Sequence, residues 1–372
     1  MSSQNTEEIN TFVHQTMLTC IGNKRKLVEY IYNVVDEVRQ ELGKEKLSLV
    51  DGFAGSSVVA RRLSYLASDL YVNDLEQYSY LMAKCYLKQP WIEDQMRIVR
   101  HIEVMNNLAE SGPYSEGIIS RLYAPKVTAN IQEGERCFYT RENALIIDTL
   151  RQYIVDHVED ELKVYCLVPL LNRASIHTNT AGVFKGFYKD GKLGKFGGKG
   201  ENALSRIMAP IRLDIPEWSD SPCVAHCSQG DTNSWIRGLP TGLDLIYLDP
   251  PYNQHPYGSN YFMLNVIAKN VEPAEISRVS GIPTDWNKSV FNKQKEAKAA
   301  MKTLIESCLS KATYVLISYN NEGIITNDEW TELLANYRVK KYELDYNTFK
   351  GSRNLQSRNN KVIERMFLVS IM

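Results

Sequence analysis

The stretch Leu243-Asp244-Leu245-Ile246-Tyr247-Leu248-Asp249-Pro250-Pro251-Tyr252 decides how this chain is read. Its first six residues are a short, β-rich apolar run that stops at turn-forming residues, the signature of a strand ending in a loop. Asp and Pro are common turn residues, so a plain strand exit accounts for the loop. A chemical reading also fits. Methylating an exocyclic amino group needs acceptors for its N–H bonds that leave the nitrogen lone pair facing the methyl donor. The Asp249 carboxylate and a backbone carbonyl at Pro250 supply such acceptors. The Pro250-Pro251 pair stiffens the loop, because proline fixes φ. The Tyr252 ring offers a face on which a base can stack.

Working outward, the same grammar repeats. Leu47–Val50 leads into Asp51-Gly52-Phe53-Ala54-Gly55-Ser56-Ser57, Leu70–Val72 into Asn73-Asp74, and Tyr314–Ile317 into Ser318-Tyr319-Asn320-Asn321. Helical patterns lie between, over Lys26–Leu42, Val58–Leu66, Ser79–Leu87 and Lys293–Leu309. Strands alternating with helices predict an α/β fold with a parallel sheet and helices on both faces. Ligands of such sheets sit at the carboxyl ends of the strands, near the topological switch point, where all the marked motifs fall. Val339–Phe349 and Val362–Ile371 are two strand-like runs that predict an antiparallel hairpin at the sheet edge. Residues 96–220 lack the alternation and are expected to be an inserted unit, with 1–95 and 221–372 forming the sheet domain. Within the insertion, the glycine-rich segment Gly182–Gly200 is expected to be a loose loop.

At 372 residues, 44% hydrophobic and 23% charged, the chain is of ordinary globular composition. No apolar stretch is long enough to span a bilayer, and Met1–Asn10 does not resemble a signal peptide. Seven scattered cysteines favour free thiols in a reducing cytoplasm. Cys223, His226 and Cys227 fall short of the four ligands of a structural zinc site, so no metal is expected, and the stretch reads as a buried strand. The net charge of −1 excludes a wholly basic nucleic-acid binder. The basic residues are nonetheless clustered: Lys185, Lys189, Lys192, Lys195 and Lys199 in one stretch, Arg353 and Arg358 in another. Solvated loops would show this, and so would one face that grips DNA.

The loop Asp51–Ser57 follows a strand and opens a helix, where small residues let a ligand approach the backbone. Asp74, at the end of the next strand, is placed to accept ribose hydroxyls. The loop is not Gly-x-Gly-x-x-Gly, so a nucleoside without a phosphate chain fits better, and S-adenosylmethionine is such a ligand. Asp231 could accept from an adenine amino group. Each of these acids could equally be a helix cap or a turn residue.

These motifs together resemble the D12 class of adenine-specific DNA methyltransferases, the Dam-like α group. Cys20-Ile21-Gly22-Asn23-Lys24-Arg25-Lys26-Leu27 resembles the opening signature of that class. Leu49–Val59 resembles its cofactor loop, Asn73-Asp74 its ribose-binding acid, and Asp249–Tyr252 its catalytic motif without a mismatch. Tyr346–Glu364 resembles its C-terminal basic segment. Two departures stand out: Ser57 where the class more often has glycine, and Cys20 in place of an aromatic. The resemblance implies a Rossmann-like S-adenosylmethionine-dependent methyltransferase sheet with an inserted target-recognition domain at 96–220. It places Cys20, Lys24, Asp74 and Asp249 around the cofactor, where the residue reading adds Asp51, Phe53 and Gly55 of the loop and Asp231. Asp249, Pro250, Pro251 and Tyr252 then act on a flipped-out adenine, and the lysines of 185–199 with Arg353 and Arg358 contact duplex DNA. The softer likeness of residues 247–261, 318–323 and 179–187 is to a restriction-linked branch, with a cognate endonuclease encoded nearby. The competing readings are an amino methyltransferase acting on RNA or protein and a silent DNA-binding relative.

Overall fold

The computed structural model describes residues 12, 13, 18, 24–201, 203–347 and 361–372. Cys20, Arg353 and Arg358 lie outside the described residues.

Among the described residues, seven strands form the main sheet: β1 (Leu47–Asp51), β2 (Ala67–Asp74), β5 (Val224–Gln229), β6 (Leu243–Leu248), β7 (Ala312–Asn320), β8 (Arg338–Asn347) and β9 (Lys361–Ser370). Two further strands, β3 (Lys189–Asp190) and β4 (Leu193–Gly194), make a separate two-stranded hairpin. The order across the sheet is β5-β2-β1-β6-β7-β9-β8. The first five of these strands run parallel, while β9 is antiparallel to both β7 and β8. The expected parallel sheet and the expected C-terminal edge hairpin are both present.

β6 shows why the sheet holds. All six of its residues are buried. Leu245 and Tyr247 join one apolar cluster, Ile246 and Leu248 the other, as the period of two in a strand requires. One cluster packs under the helices Val28–Glu41 and Gln77–Leu87, the other under the helix Ala297–Leu309. Val28, Ile31, Val35 and Val38 form the apolar stripe of the first helix and are buried.

Residues 92–176 are mainly helical, with long helices at Ile92–Ser111, Arg141–His157 and Lys163–Ile176. They continue the first cluster: Ile102, Ile147, Leu150 and Leu171 are buried in it together with Leu49 and Leu70 of the sheet. Arg151 donates to the carbonyls of Ile267 and Ala268 at 3.0 and 3.1 Å, and Asn172 to the Tyr86 hydroxyl at 2.8 Å. The middle of the chain therefore shares the core of the sheet.

Two local expectations fail. β5 is an edge strand with alternating exposed and half-buried residues, not a buried one. Gly182–Gly200 is not a loose loop. Asn179 is fully buried and pins it: its Nδ2 donates to the Cys137 and Lys195 carbonyls at 2.8 and 3.3 Å, and its Oδ1 accepts from Gly197 N at 3.0 Å. Phe196 is buried with Cys137 and Ile207, and a Cβ at Gly194 would run into Cys137. Several of these glycines serve tight turns and close packing.

Candidate active site

The strand order reverses between β1 and β6, and the site is built on the loops that leave their carboxyl ends. Those loops are stitched together. Gly52 N donates to the Tyr247 carbonyl at 3.0 Å, Thr232 Oγ1 to the Gly52 carbonyl at 2.8 Å, and Asn73 Nδ2 to the Gly230 carbonyl at 2.9 Å. A Cβ at Gly52 would stand 3.0 Å from Leu248 and 3.1 Å from Thr232, so glycine lets the β1 loop lie on the β6 exit. Gly55 and Ser57 turn the chain into the next helix with φ of 53° and 61°.

One pocket opens there. Lys24, Asp51, Phe53, Gly55, Asp74, Asp231 and Asp249 all line it, as does Pro251. Every cofactor candidate among the described residues is thus brought to one place. Asp74 accepts from Gly55 N and Glu76 N, both at 2.8 Å, so it fastens the loop as well as facing the pocket. Asp231 is exposed at the rim and caps the helix Thr232–Trp235 by accepting from Ser234 N at 3.0 Å. Its turn reading is therefore realised, alongside a place on the pocket wall. Asp51 is buried: Oδ1 accepts from Phe53 N at 3.3 Å, and Oδ2 has no hydrogen-bond partner among the described residues. Burial pushes its carboxyl up to about 8, with the nearby charges of Asp249 and Asp74 adding to the rise. Burial also raises Asp74, against the N–H bonds of Glu76 and Gly55.

Asp249 lies on the pocket floor with 17% of its side chain accessible. Burial pushes it up to about 6 against the pull of Lys24. The buried Lys24 ammonium sits 3.0 Å from Asp249 and 2.6 Å from Glu364. Burial works against that charge, but the two carboxylates outweigh it and hold the lysine well above its ordinary value. Tyr252 meets Tyr319 edge-to-face at 6.1 Å, and its carbonyl accepts from Ile324 N at 2.8 Å. Asn292 Nδ2 donates to the Asn253 carbonyl at 2.7 Å. The loop after β7 and the segment before the helix Ala297–Leu309 together fix the tetrapeptide.

Residues 21–348 match the family model of the D12 class N6 adenine-specific DNA methyltransferases. The chain belongs to this family. Among its relatives, the type II methyltransferase M.CviAII of Paramecium bursaria Chlorella virus 1 is 27% identical, covering 94% of this chain and 98% of that one. The type II methyltransferase M.NlaIII of Neisseria lactamica is also 27% identical, over 92% and 95% of the two chains. The modification methylase StsI of Streptococcus sanguinis is 26% identical over 94% of this chain and 51% of its own. A solved structure from Thermoplasma acidophilum covers 100% of this chain and 98% of its own at 8% identity, with a TM-score of 0.36.

For this D12 methyltransferase, sequence reasoning missed two parts of the pocket and one charged group behind it. Glu76 is buried on its wall, accepting from Asn265 at 2.5 Å and Asn287 at 3.0 Å. Burial pushes it up to about 7 against the Asn265 hydrogen bond, with Asp74 adding to the rise. Asn287, Ser289, Phe291 and Asn292 close one side from an irregular segment that carries no periodic signal, and Phe291 packs edge-to-face on Phe53 at 5.5 Å. Glu364 arrives from β9. Its approach depends on the register that sets it opposite Asn320 of β7, which no local pattern announces.

The basic hairpin is a separate surface. Lys185, Lys189, Lys192 and Lys199 are exposed, whereas Lys195 is half-buried and 3.3 Å from Glu201. The hairpin joins the segment after the Asp249–Tyr252 loop at its base, where Phe184 N donates to the Asn260 carbonyl at 2.7 Å. No helix among the described residues is long and apolar enough to cross a membrane.

Proposed function

We propose that this D12 methyltransferase transfers the methyl group of S-adenosylmethionine to N6 of an adenine extruded from duplex DNA. The observation that carries this reading is the loop Asp249-Pro250-Pro251-Tyr252 at the edge of the acid-lined pocket: Asp249 and Pro251 line it, while Pro250 and Tyr252 stand outside its lining. The residues fit a cationic, donor-rich ligand. Asp51 has an unpartnered buried oxygen, Asp74 keeps lone pairs beyond its two N–H bonds, and the lining cation Lys24 is already paired. A phosphate chain would meet carboxylates here. Asp51, Phe53, Gly55, Asp74 and Asp231 would hold the cofactor, which supplies an electrophilic sulfonium methyl.

The chain does the rest by positioning and electrostatics. Extruding a base costs a few kcal/mol, and stacking on Tyr252 returns about 1–3 kcal/mol. Asp249 and the Pro250 carbonyl accept from the two N6 hydrogens and turn the nitrogen lone pair toward the methyl group. When the bound cofactor gives up its methyl group, positive charge would grow on N6; the Asp249 carboxylate would stabilise it, and one N6 proton would pass by way of that carboxylate to solvent. Residues 96–220 are assigned target recognition, with Lys185, Lys189, Lys192, Lys195 and Lys199 on phosphates, which set position and affinity rather than sequence. Arg353 and Arg358 are assigned the same role.

The named activities of the relatives support a place in a type II restriction-modification system, protecting host DNA from a cognate endonuclease. Sequencing plasmid DNA from cells expressing the chain, with detection of N6-methyladenine, tests the reading. The expected result is one modified sequence motif that disappears with Asp249→Ala. Unmodified plasmid from cells that express the folded protein overturns it.

A further inference from the structure

The C-terminal strand brings a third charged group to the reacting centre. Glu364 is buried on β9, and its Oε1 accepts from Lys24 Nζ at 2.6 Å and from Ser318 Oγ at 2.9 Å. The same ammonium stands 3.0 Å from Asp249 Oδ1, farther than it stands from Glu364. The shorter contact goes to Glu364 and the longer one to Asp249. We propose that Glu364 is a positioning residue: it draws the Lys24 ammonium away from Asp249 and so keeps the Asp249 carboxylate open to the target amino group.

The argument is one of competition. An ammonium facing a single buried carboxylate closes onto it in a charge-assisted hydrogen bond of about 2.7–2.9 Å. Here one ammonium faces two carboxylates, and Ser318 fixes the second so that it takes the better geometry. The cluster of one positive and two negative groups keeps an excess of negative charge, which suits the positive charge that grows on N6. Without the Glu364 charge, Lys24 would lock onto Asp249 and neutralise it. The groups that face Asp249 come from several elements: Lys24 from the segment before the helix Val28–Glu41, Asp51 from β1, Tyr247 from β6 and Glu364 from β9.

This inference rests on Asp249 being the amino-group acceptor. Asp249→Ala tests that premise separately, since a retained rate there sinks the premise whatever Glu364 does. Glu364→Gln keeps the shape and removes the charge. The measurement is the single-turnover methylation rate against pH. At neutral pH the rate should fall on the order of tenfold, a modest share of what losing a preorganised polar group costs. The acid limb, set by Asp249 near pH 6 in the unaltered protein, should move to lower pH because a neighbouring negative charge has gone. A structural role alone would lower the rate and leave the limb in place. Lys24→Met should shift the limb the opposite way, to higher pH. An unmoved limb in Glu364→Gln, or an unchanged rate, overturns the proposal. Should that variant fail to fold, an unmoved limb in Lys24→Met overturns it instead.

Discussion

Asp51 gives up stability for a site. Its carboxyl is buried, one oxygen lacks a partner among the described residues, and its pKa stands at about 8. The unfolded chain releases that proton near the ordinary Asp value, about 3.9. Between these two values the folded protein holds more protons, so the group's contribution to stability falls as pH rises from about 4 to about 8. Asp51→Asn removes the titration. Without cofactor, its melting temperature should exceed that of the unaltered protein by a margin that widens toward pH 8, while cofactor affinity drops. Thermal scans at several pH values check this, and a margin that does not vary with pH refutes it. Asp74 makes the contrast. It faces the same pocket but fastens the chain through Gly55 and Glu76. Asp74→Ala should weaken cofactor binding by about 10- to 100-fold, the size expected for a charged hydrogen-bond acceptor. It should also lower the melting temperature, because two N–H groups lose their partner. Unchanged affinity in calorimetry would leave Asp74 a cap and nothing more.

At the scale of elements, the β1 loop carries its own strain. Ser57 begins the helix Val58–Leu63 with φ of 61°, a left-handed conformation that favours glycine, and its buried hydroxyl has no hydrogen-bond partner among the described residues. Ser57→Gly should therefore stabilise the protein by about 0.5–1 kcal/mol, the relief of a side chain at positive φ less the added freedom of the unfolded chain. Cofactor affinity should hold or improve. Denaturant unfolding measures the first and calorimetry the second, and a destabilised variant would show that the serine side chain supports the loop. The elements that proved legible share a cause. Leu47–Asp51, Leu243–Leu248 and the helix Val28–Glu41 carry periodic apolar patterns that the two faces of one sheet impose. The pocket motifs were legible because each sits where a strand ends. What escaped has no such period. The segment with Asn287 and Phe291 is irregular, Glu364 depends on strand register, and Gly182–Gly200 is ordered by the buried Asn179, whose bonds reach back to Cys137.

The whole molecule separates two tasks that one core joins. The acid-lined pocket sits at the sheet, and the basic hairpin grows from the fold near the Asp249–Tyr252 loop. Phe184 links them, packed 6.4 Å from Tyr261 and buried in the cluster that holds Leu49 and Leu245. A neutral chain that binds a polyanion must present its positive charge locally, and the hairpin lysines are not equally available for that. Lys195 is tied to Glu201, and Lys192 stands 3.7 Å from Glu133. Lys185 and Lys199 are exposed and make no ion pair among the described residues. Counterion release makes each neutralised phosphate worth about 0.9 in the slope of log affinity against log salt. Lys185→Gln with Lys199→Gln should therefore flatten that slope by about 0.9 for every phosphate the variant no longer neutralises. Binding to all sequences should weaken alike, because a grip on phosphates carries no sequence information. Lys195→Gln should change the slope less, since its charge is already shared. Cofactor affinity should stay constant in both variants, because the hairpin does not line the pocket. Titrations of duplex DNA at several salt concentrations decide it. An unchanged slope in the double variant would place the phosphate grip elsewhere on the molecule.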